Sequence, residues 1–459
     1  MSERKPLRVA IIGGGPGGLV LAQILHQDAR FRVTVYERGT RDGSDSSSLV
    51  GFRILVPPSI LDNLRDKLPA SVSALIDGAI GVPQSQGNRV ALMDEKCGII
   101  CRMDVQQSRD MCSISRWKLR EALLHGAEEF AEFGKVFSSY EEPADKDKGV
   151  KVRFTDGDEI ECDILVGADG AGSKVRKQLL PDSTRSASGL TVIYLKAPFT
   201  PETEAMLPWN SGCVAIAPRQ SMVVAYYKDG ENPYGPYDLE KIDPADSFLM
   251  FGLGCYTNEF VDQSKHPDEM TPEELKAECL ARAKNWNPLL RALIKLSVPS
   301  SVFVSHVKTQ DLIEPWKTGR VTLLGDAAHS LTPYLGKGAS SAILDGISLA
   351  EALKPESKNG QGLSLTTRLS IYEKNMLKDG FKAAKQSMMA QRFLFNAGDT
   401  PWKSWWRNLA LKAVDLWISH PKDPSARDDG FSSAGGIIII LFVALGLGGL
   451  TMVMKGRIE

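Results

Sequence analysis

Three segments of the chain place acidic and small residues at spacings that suit a phosphorylated ligand. The first has glycine at Gly13, Gly15 and Gly18, between an apolar run and a helical pattern. Glycine permits a tight turn close to a pyrophosphate, and the following helix N-terminus offers amides and a positive dipole. Glu37 stands 19 residues beyond Gly18, where its carboxylate can accept hydrogen bonds from ribose hydroxyls. These residues predict a dinucleotide site. The acid favours FAD or NAD over NADP, because it would repel a 2′-phosphate.

Two further segments carry an aspartate directly after an apolar strand pattern. Residues 162–170 end in Gly-Ala-Asp-Gly and contain Asp169, and residues 325–329 read Gly-Asp-Ala-Ala-His and contain Asp326. Such an aspartate can bind a ribose or ribityl hydroxyl while its small neighbours let the ligand approach the backbone. A later turn that includes Gly338 and Ala339 opens a helix and offers amides to a phosphate or an electron-rich ring edge. Either aspartate alone is more often a helix cap, so the prediction depends on the combination.

The elements that must position these residues follow from hydrophobic periodicity and turn residues. The patterns predict, in order, strand 7–12, helix 17–28, strand 32–37, helices 61–75 and 115–133, a hairpin over 150–166, several strands within 190–255, strand 320–325 and a helix from about Ala339. The first three elements form the start of a βαβ unit, and the strands within 190–255 indicate an antiparallel sheet in a second domain.

In this order the motifs resemble those of the single-component (class A) FAD-dependent aromatic-hydroxylase-type monooxygenases, and in particular the members from fungal secondary metabolism. The resemblance covers roughly residues 7 to 400. It implies an α/β fold with a Rossmann-type FAD-binding domain interleaved with an antiparallel-sheet substrate domain. The expected boundaries are 1–60, 97–185 and 306–400 for the FAD-binding domain, and 61–96 and 186–305 for the substrate domain.

The resemblance also implies roles for single residues. The ADP half of FAD would be held by Gly13, Gly15, Gly18 and Glu37, and the loop that passes the flavin would contain Gly51. Arg116 would contact FAD at a helix start, Asp169 would support FAD and the approach of the reductant, and Asp326 would bind the pyrophosphate–ribityl region. Gly338 and Ala339 would face the isoalloxazine. His329 is expected to be structural. No motif identifies a catalytic side chain, and the candidates are Lys196 and Arg53.

The chain departs from the family pattern beside the expected flavin site. Lys337 stands where the family usually has glutamine, and Ser340 where it has asparagine. A lysine near the pyrimidine edge would stabilise an anionic reduced flavin. Alternatively, its side chain points to solvent.

The implied reaction is monooxygenation. NAD(P)H, as a transient reductant, would reduce FAD, O₂ would add to give a flavin C4a-hydroperoxide, and an electron-rich ring or alkene would be hydroxylated or epoxidised. Three alternatives remain on the same fold: a flavin-dependent reductase or dehydrogenase, a halogenase, and a non-catalytic FAD-binding protein tethered to a membrane. None of the eight tryptophans lies in the W-x-W-x-I-P pattern of the halogenases.

The composition limits the partners. The chain carries 55 basic and 56 acidic residues, so it offers no excess charge for nucleic acid. Seven cysteines form no C-x-x-C pair, and the six histidines include no pair at the spacing of a helical metal site. We therefore expect no metal, and cysteines that pack in a reducing compartment.

The C-terminal end predicts a membrane anchor. Residues 436–454 lack charge and would form a helix of roughly 28 Å, followed by Lys455 and Arg457 as interfacial anchors. Residues 401–420, rich in tryptophan, would form an interfacial helix, although core packing explains such residues equally well. A buried C-terminal helix is the alternative to the anchor. The anchor implies a cytosolic catalytic body, at the endoplasmic reticulum, and a lipophilic substrate such as a terpenoid, prenylated aromatic or indole compound.

Overall fold

The computed structural model describes residues 5–42, 52–82, 90–103, 111–143, 148–209, 212–235, 238, 242–243, 245–354, 362–396 and 398–419. The chain divides into two compact units. The first contains residues 1–80, 114–188 and 308–387, and the second contains residues 81–113, 189–307 and 388–459.

The described strands and α-helices are, in chain order, β1 (Leu7–Ile12), α1 (Pro16–His26), β2 (Phe31–Glu37), β3 (Arg53–Val56), α2 (Pro58–Lys67), α3 (Ala70–Gly78), β4 (Val90–Asp94), β5 (Ile99–Met103), β6 (Cys112–Ser115), α4 (Arg116–Leu123), β7 (Ala131–Phe133), β8 (Phe137–Glu141), β9 (Val150–Phe154), β10 (Glu159–Cys162), β11 (Ile164–Gly167), α5 (Lys174–Leu179), β12 (Arg185–Pro198), α6 (Pro201–Ala205), β13 (Gly212–Ala217), β14 (Gln220–Tyr227), β15 (Phe248–Tyr256), α7 (Pro272–Arg282), α8 (Pro288–Lys295), β16 (Phe303–Gln310), β17 (Val321–Leu323), α9 (Asp326–His329), α10 (Gly338–Leu353), α11 (Leu365–Phe395) and α12 (Pro401–Ser419).

The first unit is built on a five-stranded parallel sheet in the order β17-β11-β1-β2-β7. Its central strand β1 is apolar from Val9 to Ile12 and buried. Strands covered on both faces need such continuous apolar runs. The carboxyl ends of β1, β11 and β17 meet at one edge of the sheet, and each leads into a segment that the sequence singled out. The strand, helix and strand predicted at the N-terminus are confirmed.

The second unit is built on a mostly antiparallel seven-stranded sheet in the order β16-β12-β15-β14-β13-β4-β5. One face carries a buried apolar cluster that includes Leu195, Phe251 and Leu253, against which residues of α7 and α8 pack. The antiparallel sheet predicted for residues 190–255 is confirmed.

Three predicted elements were wrong in extent. The helix predicted over 61–75 is two helices, α2 and α3, which are separated at Pro69. The helix predicted over 115–133 ends at Leu123, because Gly126 at φ +72° turns the chain towards β7. In the hairpin predicted over 150–166, β9 and β10 pair as expected, but β11 leaves them and joins the parallel sheet beside β1.

The units also differ from the predicted domain boundaries. Residues 61–80 belong to the first unit, where α2 packs against α10 and α3 against α4. Residues 97–113 belong to the second unit, because β5 pairs with β4. Residues 388–400 belong there too, and the Tyr256 hydroxyl donates to Asn396 Oδ1 at 2.6 Å.

The last described helix, α12, packs against β5 within the second unit. The Asp415 carboxylate accepts hydrogen bonds from the backbone N of Arg102 at 2.7 Å and from its guanidinium at 3.2 Å. Among the described helices, none combines the length and apolar character needed to cross a membrane. The anchor predicted at 436–454 lies outside the described residues.

Candidate functional site

The glycine turn after β1 is held by close packing against the end of β11. Gly13 adopts φ +113°, and a Cβ there would lie 2.4 Å from the carbonyl oxygen of Ala168. A Cβ on Gly18 would lie 2.4 Å from the carbonyl oxygen of Gly13. Both positions therefore need glycine because other parts of the protein already fill the space.

Gly15 and Gly17 differ in what surrounds them. A Cβ on Gly17 would lie 2.5 Å from the carbonyl oxygen of Ala342, so this glycine lets α1 approach α10. At Gly15 the backbone has φ −76°, which any residue can adopt, and a Cβ would meet no atom within 4 Å. Neither backbone strain nor packing among the described residues requires glycine at this position. The open space lies at the N-terminus of α1, where amide groups can bind phosphate oxygens.

Glu37 closes the other side of this turn. Its carboxylate accepts hydrogen bonds from the backbone N of Gly14 at 2.6 Å and of Gly39 at 2.8 Å. The side chain is half-buried, and each carboxylate oxygen keeps lone pairs for further donors. This geometry suits the predicted contact with ribose hydroxyls.

Asp169 is fixed at the end of β11 by the first turn of α5. Its carboxylate accepts hydrogen bonds from the backbone N of Lys174 at 2.7 Å and of Val175 at 3.4 Å. The second oxygen, Oδ1, is buried and has no hydrogen-bond partner within the described part of the chain. A buried acceptor without a donor is costly, and a ligand hydroxyl would satisfy it.

Arg176 links the two aspartate segments. Its buried guanidinium donates to the carbonyl oxygen of Ala327 at 2.8 Å and to that of Ala171 at 2.9 Å. It thereby holds the turn after β17 against the turn after β11. The sequence indicated no such role for Arg176, because its partner Ala327 lies 151 residues away.

Asp326 and Arg116 form the charged part of the site. Asp326 begins α9 directly after Gly325, and its side chain is exposed to solvent. Arg116 begins α4, and burial lowers the pKa of its guanidinium while the charge of Asp326 opposes that shift. Among the described residues, none accepts a hydrogen bond from the Arg116 guanidinium. A Cβ on Gly338, the first residue of α10, would lie 3.9 Å from Asp326 Oδ1. The predicted residues Asp326, Gly338 and Arg116 are therefore neighbours.

Asp345 supports this turn from within α10, a role that sequence reasoning missed. Its Oδ2 accepts a hydrogen bond from the backbone N of Gly325 at 2.8 Å and lies 2.7 Å from His329 Nε2. Burial alone would lower the pKa of His329, but the hydrogen bond and charge of Asp345 outweigh it and raise the pKa. A carboxylate directly after the apolar residues Ala342, Ile343 and Leu344 was the available signal. His329 is buried and paired, which suits the structural role expected for it.

The remaining predicted residues fall in different places. Gly51 lies outside the described residues. Arg53 begins β3 and is half-buried. Ala339 follows Gly338 in the first turn of α10. The Lys337 side chain is exposed and its Nζ donates to Gln386 Oε1 at 3.3 Å.

Lys196 belongs to the second unit and is almost completely buried, with 1% of its surface exposed. Its Nζ lies 4.1 Å from the centre of the Phe248 ring and finds no hydrogen-bond partner among the residues that the structure describes. Burial lowers its pKa to about 7, since the charged form loses its hydration. Whether Lys196 takes part in catalysis stays a prediction.

The first unit fits the ADP and ribityl parts of FAD. It offers open space at Gly15 beside the N-terminus of α1, a carboxylate at Glu37, a buried acceptor at Asp169, and an exposed carboxylate beside a guanidinium at Asp326 and Arg116. A dinucleotide with two phosphates and several hydroxyls uses all of these groups.

Comparison with known families agrees with this geometry. The model of the FAD binding domain family matches residues 79–375, and that of the NAD(P)-binding Rossmann-like domain matches residues 11–66. The second match covers the glycine turn and Glu37.

Individual relatives were found among characterised and solved proteins. The dual O-methyltransferase/FAD-dependent monooxygenase elcB of Phaeosphaeria nodorum is 28% identical over 87% of this chain, which spans 44% of that longer protein. The 6-hydroxynicotinate 3-monooxygenase of Pseudomonas fluorescens is 26% identical, over 83% of this chain and 90% of the relative. A crystal structure from Photorhabdus luminescens, assigned as an FAD-containing monooxygenase, superposes with a TM-score of 0.70 at 28% identity, over 84% of this chain and 98% of that one.

Proposed function

Since the chain belongs to the FAD binding domain family of FAD-dependent monooxygenases, we propose that it uses NAD(P)H and O₂ to hydroxylate or epoxidise a lipophilic aromatic, terpenoid or indole-type compound. FAD is the cofactor and the enzyme is an oxidoreductase. The substrate, the reductant and the course of oxygen transfer are the parts that this proposal adds.

The main support for the proposal is the proximity of Asp326, Arg116 and Gly338. These residues come from the starts of three different helices, yet they lie together in the first unit. An exposed carboxylate beside a guanidinium that has no hydrogen-bond acceptor among the described residues is typical of a site for a polar ligand.

Each group has a task that its own position supports. The amides at the start of α1 would bind the pyrophosphate, Glu37 the ribose hydroxyls, and Asp326 the ribityl region. The amides and the positive dipole at the start of α10, at Gly338 and Ala339, would stabilise negative charge on the edge of the ring system. When bound, FAD supplies the redox chemistry: it accepts a hydride and activates O₂. The protein contributes binding, orientation and this electrostatic stabilisation.

A nicotinamide reductant is proposed as a transient visitor. The glycine turn that the NAD(P)-binding model matches is the same turn that fits the ADP half of FAD. The sequence contains no second turn of this kind for a resident nicotinamide nucleotide.

The reductant and O₂ can be tested by absorbance of the purified flavoprotein. We expect the oxidised flavin band to bleach when NADPH or NADH is added without air, and to return when air is admitted. Oxygen uptake and substrate hydroxylation or epoxidation are then measured over a panel of lipophilic aromatic, terpenoid and indole compounds.

Two outcomes would contradict the proposal. Substrate turnover that continues without O₂ would indicate a flavin reductase or dehydrogenase instead. Bound flavin that neither nicotinamide reduces, with any substrate of the panel present, would indicate a binding protein without turnover.

The proposed location is a membrane surface, with the catalytic body in the cytosol at the endoplasmic reticulum. One face of α12 is packed, with Ser404, Arg407 and Leu411 buried. The other face exposes Trp402, Trp405 and Trp406, with 67%, 53% and 51% of their surface accessible, and their rings contact one another. These exposed fractions argue against core packing for the three rings. An exposed aromatic face next to lysines suits the headgroup region of a bilayer, and the uncharged segment 436–454 follows it in the chain.

Flotation with liposomes tests the location. We expect the full chain to float with vesicles, and a chain that ends at Gly430 to bind more weakly but still in a manner that depends on the tryptophans. Replacing all three by alanine in the shortened chain should abolish the residual binding, whereas replacing the exposed Leu289 on α8 should not. A full chain that stays in the soluble fraction would refute the anchor.

A further inference from the structure

A group of metal-ligating side chains lies in the second unit, on the edge strand of its sheet. His306 belongs to β16, Asp268 lies in the short 3₁₀ turn Pro267–Glu269 before α7, and His266 directly precedes that turn. One ligand atom from each of the three lies within 4.8 Å of the others. The side chains are 28% to 58% exposed, so an ion from solvent can reach them.

A chain of hydrogen bonds fixes the protonation of the His306 ring. Thr257 Oγ1 lies 3.0 Å from the carbonyl oxygen of Gly189, which can only accept, so the Thr257 hydroxyl donates there. Thr257 Oγ1 must then accept from the hydroxyl of Thr191, at 2.8 Å. Thr191 Oγ1 has no second proton to give, so it accepts from His306 Nδ1 at 2.9 Å. His306 Nδ1 therefore carries a hydrogen.

The other ring nitrogen of His306 faces a carboxylate. Nε2 lies 2.8 Å from Asp268 Oδ1. With Nδ1 protonated, the neutral ring has its lone pair on Nε2, which would face an oxygen lone pair at this distance. Either a second ring proton on Nε2 or a metal ion bound by both atoms is needed at this contact.

His266 presents a second lone pair to the same carboxylate. Its Nδ1 accepts a long hydrogen bond of 3.4 Å from the backbone N of Asp268 and lies 3.3 Å from Asp268 Oδ2. The side of this ring that faces Asp268 thus carries an acceptor and not an N–H. One proton on His306 Nε2 would satisfy the contact with Asp268 Oδ1. It would leave the contact between His266 Nδ1 and Asp268 Oδ2 without a donor.

We propose that His266, Asp268 and His306 bind one divalent transition-metal ion, of the zinc type, with water completing its coordination. Two imidazoles and a carboxylate are a common ligand set for such ions, and an Nδ1–H that donates to a neighbouring oxygen is the arrangement that ligating histidines usually have. The ion would tie the segment after β15 to the edge strand β16. The two histidines are 40 residues apart in the chain, so no local spacing indicates the site.

Isothermal titration with ZnCl₂ tests the site on the full, untagged flavoprotein in detergent after treatment with EDTA. We expect one equivalent of Zn²⁺ to bind, and MgCl₂ at the same concentration to give no signal. His266→Gln and His306→Gln should each weaken binding at least about tenfold. Thr191→Val, which removes the hydroxyl that His306 and Thr257 share and leaves the three proposed ligands in place, should weaken it roughly 10- to 100-fold.

The matched control is His26→Gln. His26 is an exposed histidine whose Nε2 lies 3.1 Å from a single carboxylate, Glu129, in the first unit, so this variant should bind Zn²⁺ as the wild type does. His266 is exposed, so its replacement should leave the fold intact, and circular dichroism checks this for each variant. Zinc affinity that is unchanged in both His266→Gln and His306→Gln would overturn the proposal. A wild type that binds no zinc would do so too, and a proton would then bridge Asp268 and His306.

Discussion

Asp326→Ala is expected to be purified without bound FAD and without NAD(P)H oxidation. The Asp326 carboxylate is exposed at the start of α9, next to Gly338 and within electrostatic reach of Arg116. A hydrogen bond from a ligand hydroxyl to a charged group contributes about 1.5–3 kcal/mol, which corresponds to roughly 10- to 150-fold in affinity.

The measurement is the ratio of flavin to protein absorbance after purification, followed by titration of the apoprotein with FAD. Asp66→Ala is the control, since Asp66 is an exposed carboxylate on α2 of the same unit and away from the proposed contacts. The thermal unfolding of both apoproteins should match that of the wild-type apoprotein. An Asp326→Ala enzyme with full FAD content and full activity would refute the assignment.

Gly15→Ala and Gly17→Ala should separate cofactor binding from folding. At Gly15 a methyl group meets no protein atom within 4 Å, so the apoprotein should unfold at the wild-type temperature. The methyl group would, however, occupy the space of the pyrophosphate, and we expect FAD affinity to fall at least about tenfold. At Gly17 a methyl group would lie 2.5 Å from the carbonyl oxygen of Ala342, and overpacking of this kind typically costs about 1–3 kcal/mol.

Both glycine variants are compared with the wild type by urea unfolding of the apoprotein and by quenching of FAD fluorescence on binding. Gly17→Ala should lose stability, and Gly15→Ala should lose FAD affinity alone. A Gly15→Ala protein that binds FAD as tightly as the wild type would show that the pyrophosphate does not pass over this residue.

The sequence predicted best where the signal is local. The strand, helix and strand at the N-terminus were read from one apolar run, one glycine turn and one acid, and the structure has them within two residues of the predicted ends. The FAD-dependent monooxygenase family also followed from three short motifs in order, and the family match confirms it. Prediction was weaker where one residue decides the outcome, as at Pro69, where one expected helix becomes two, and at Gly126, where a helix stops.

By itself, then, the sequence determined the dinucleotide turn, the α/β class and the family, because short-range patterns in glycine, acid and apolar residues are sufficient for each. Only the tertiary structure decided which groups meet: Arg176 with Ala327, Asp345 with Gly325 and His329, and His266 with His306. It also decided that Lys196 is buried against Phe248 while Lys337 is exposed. These contacts join residues that are distant in sequence, or depend on how much water a side chain retains, and both are set by the packing of whole elements rather than by neighbouring residues.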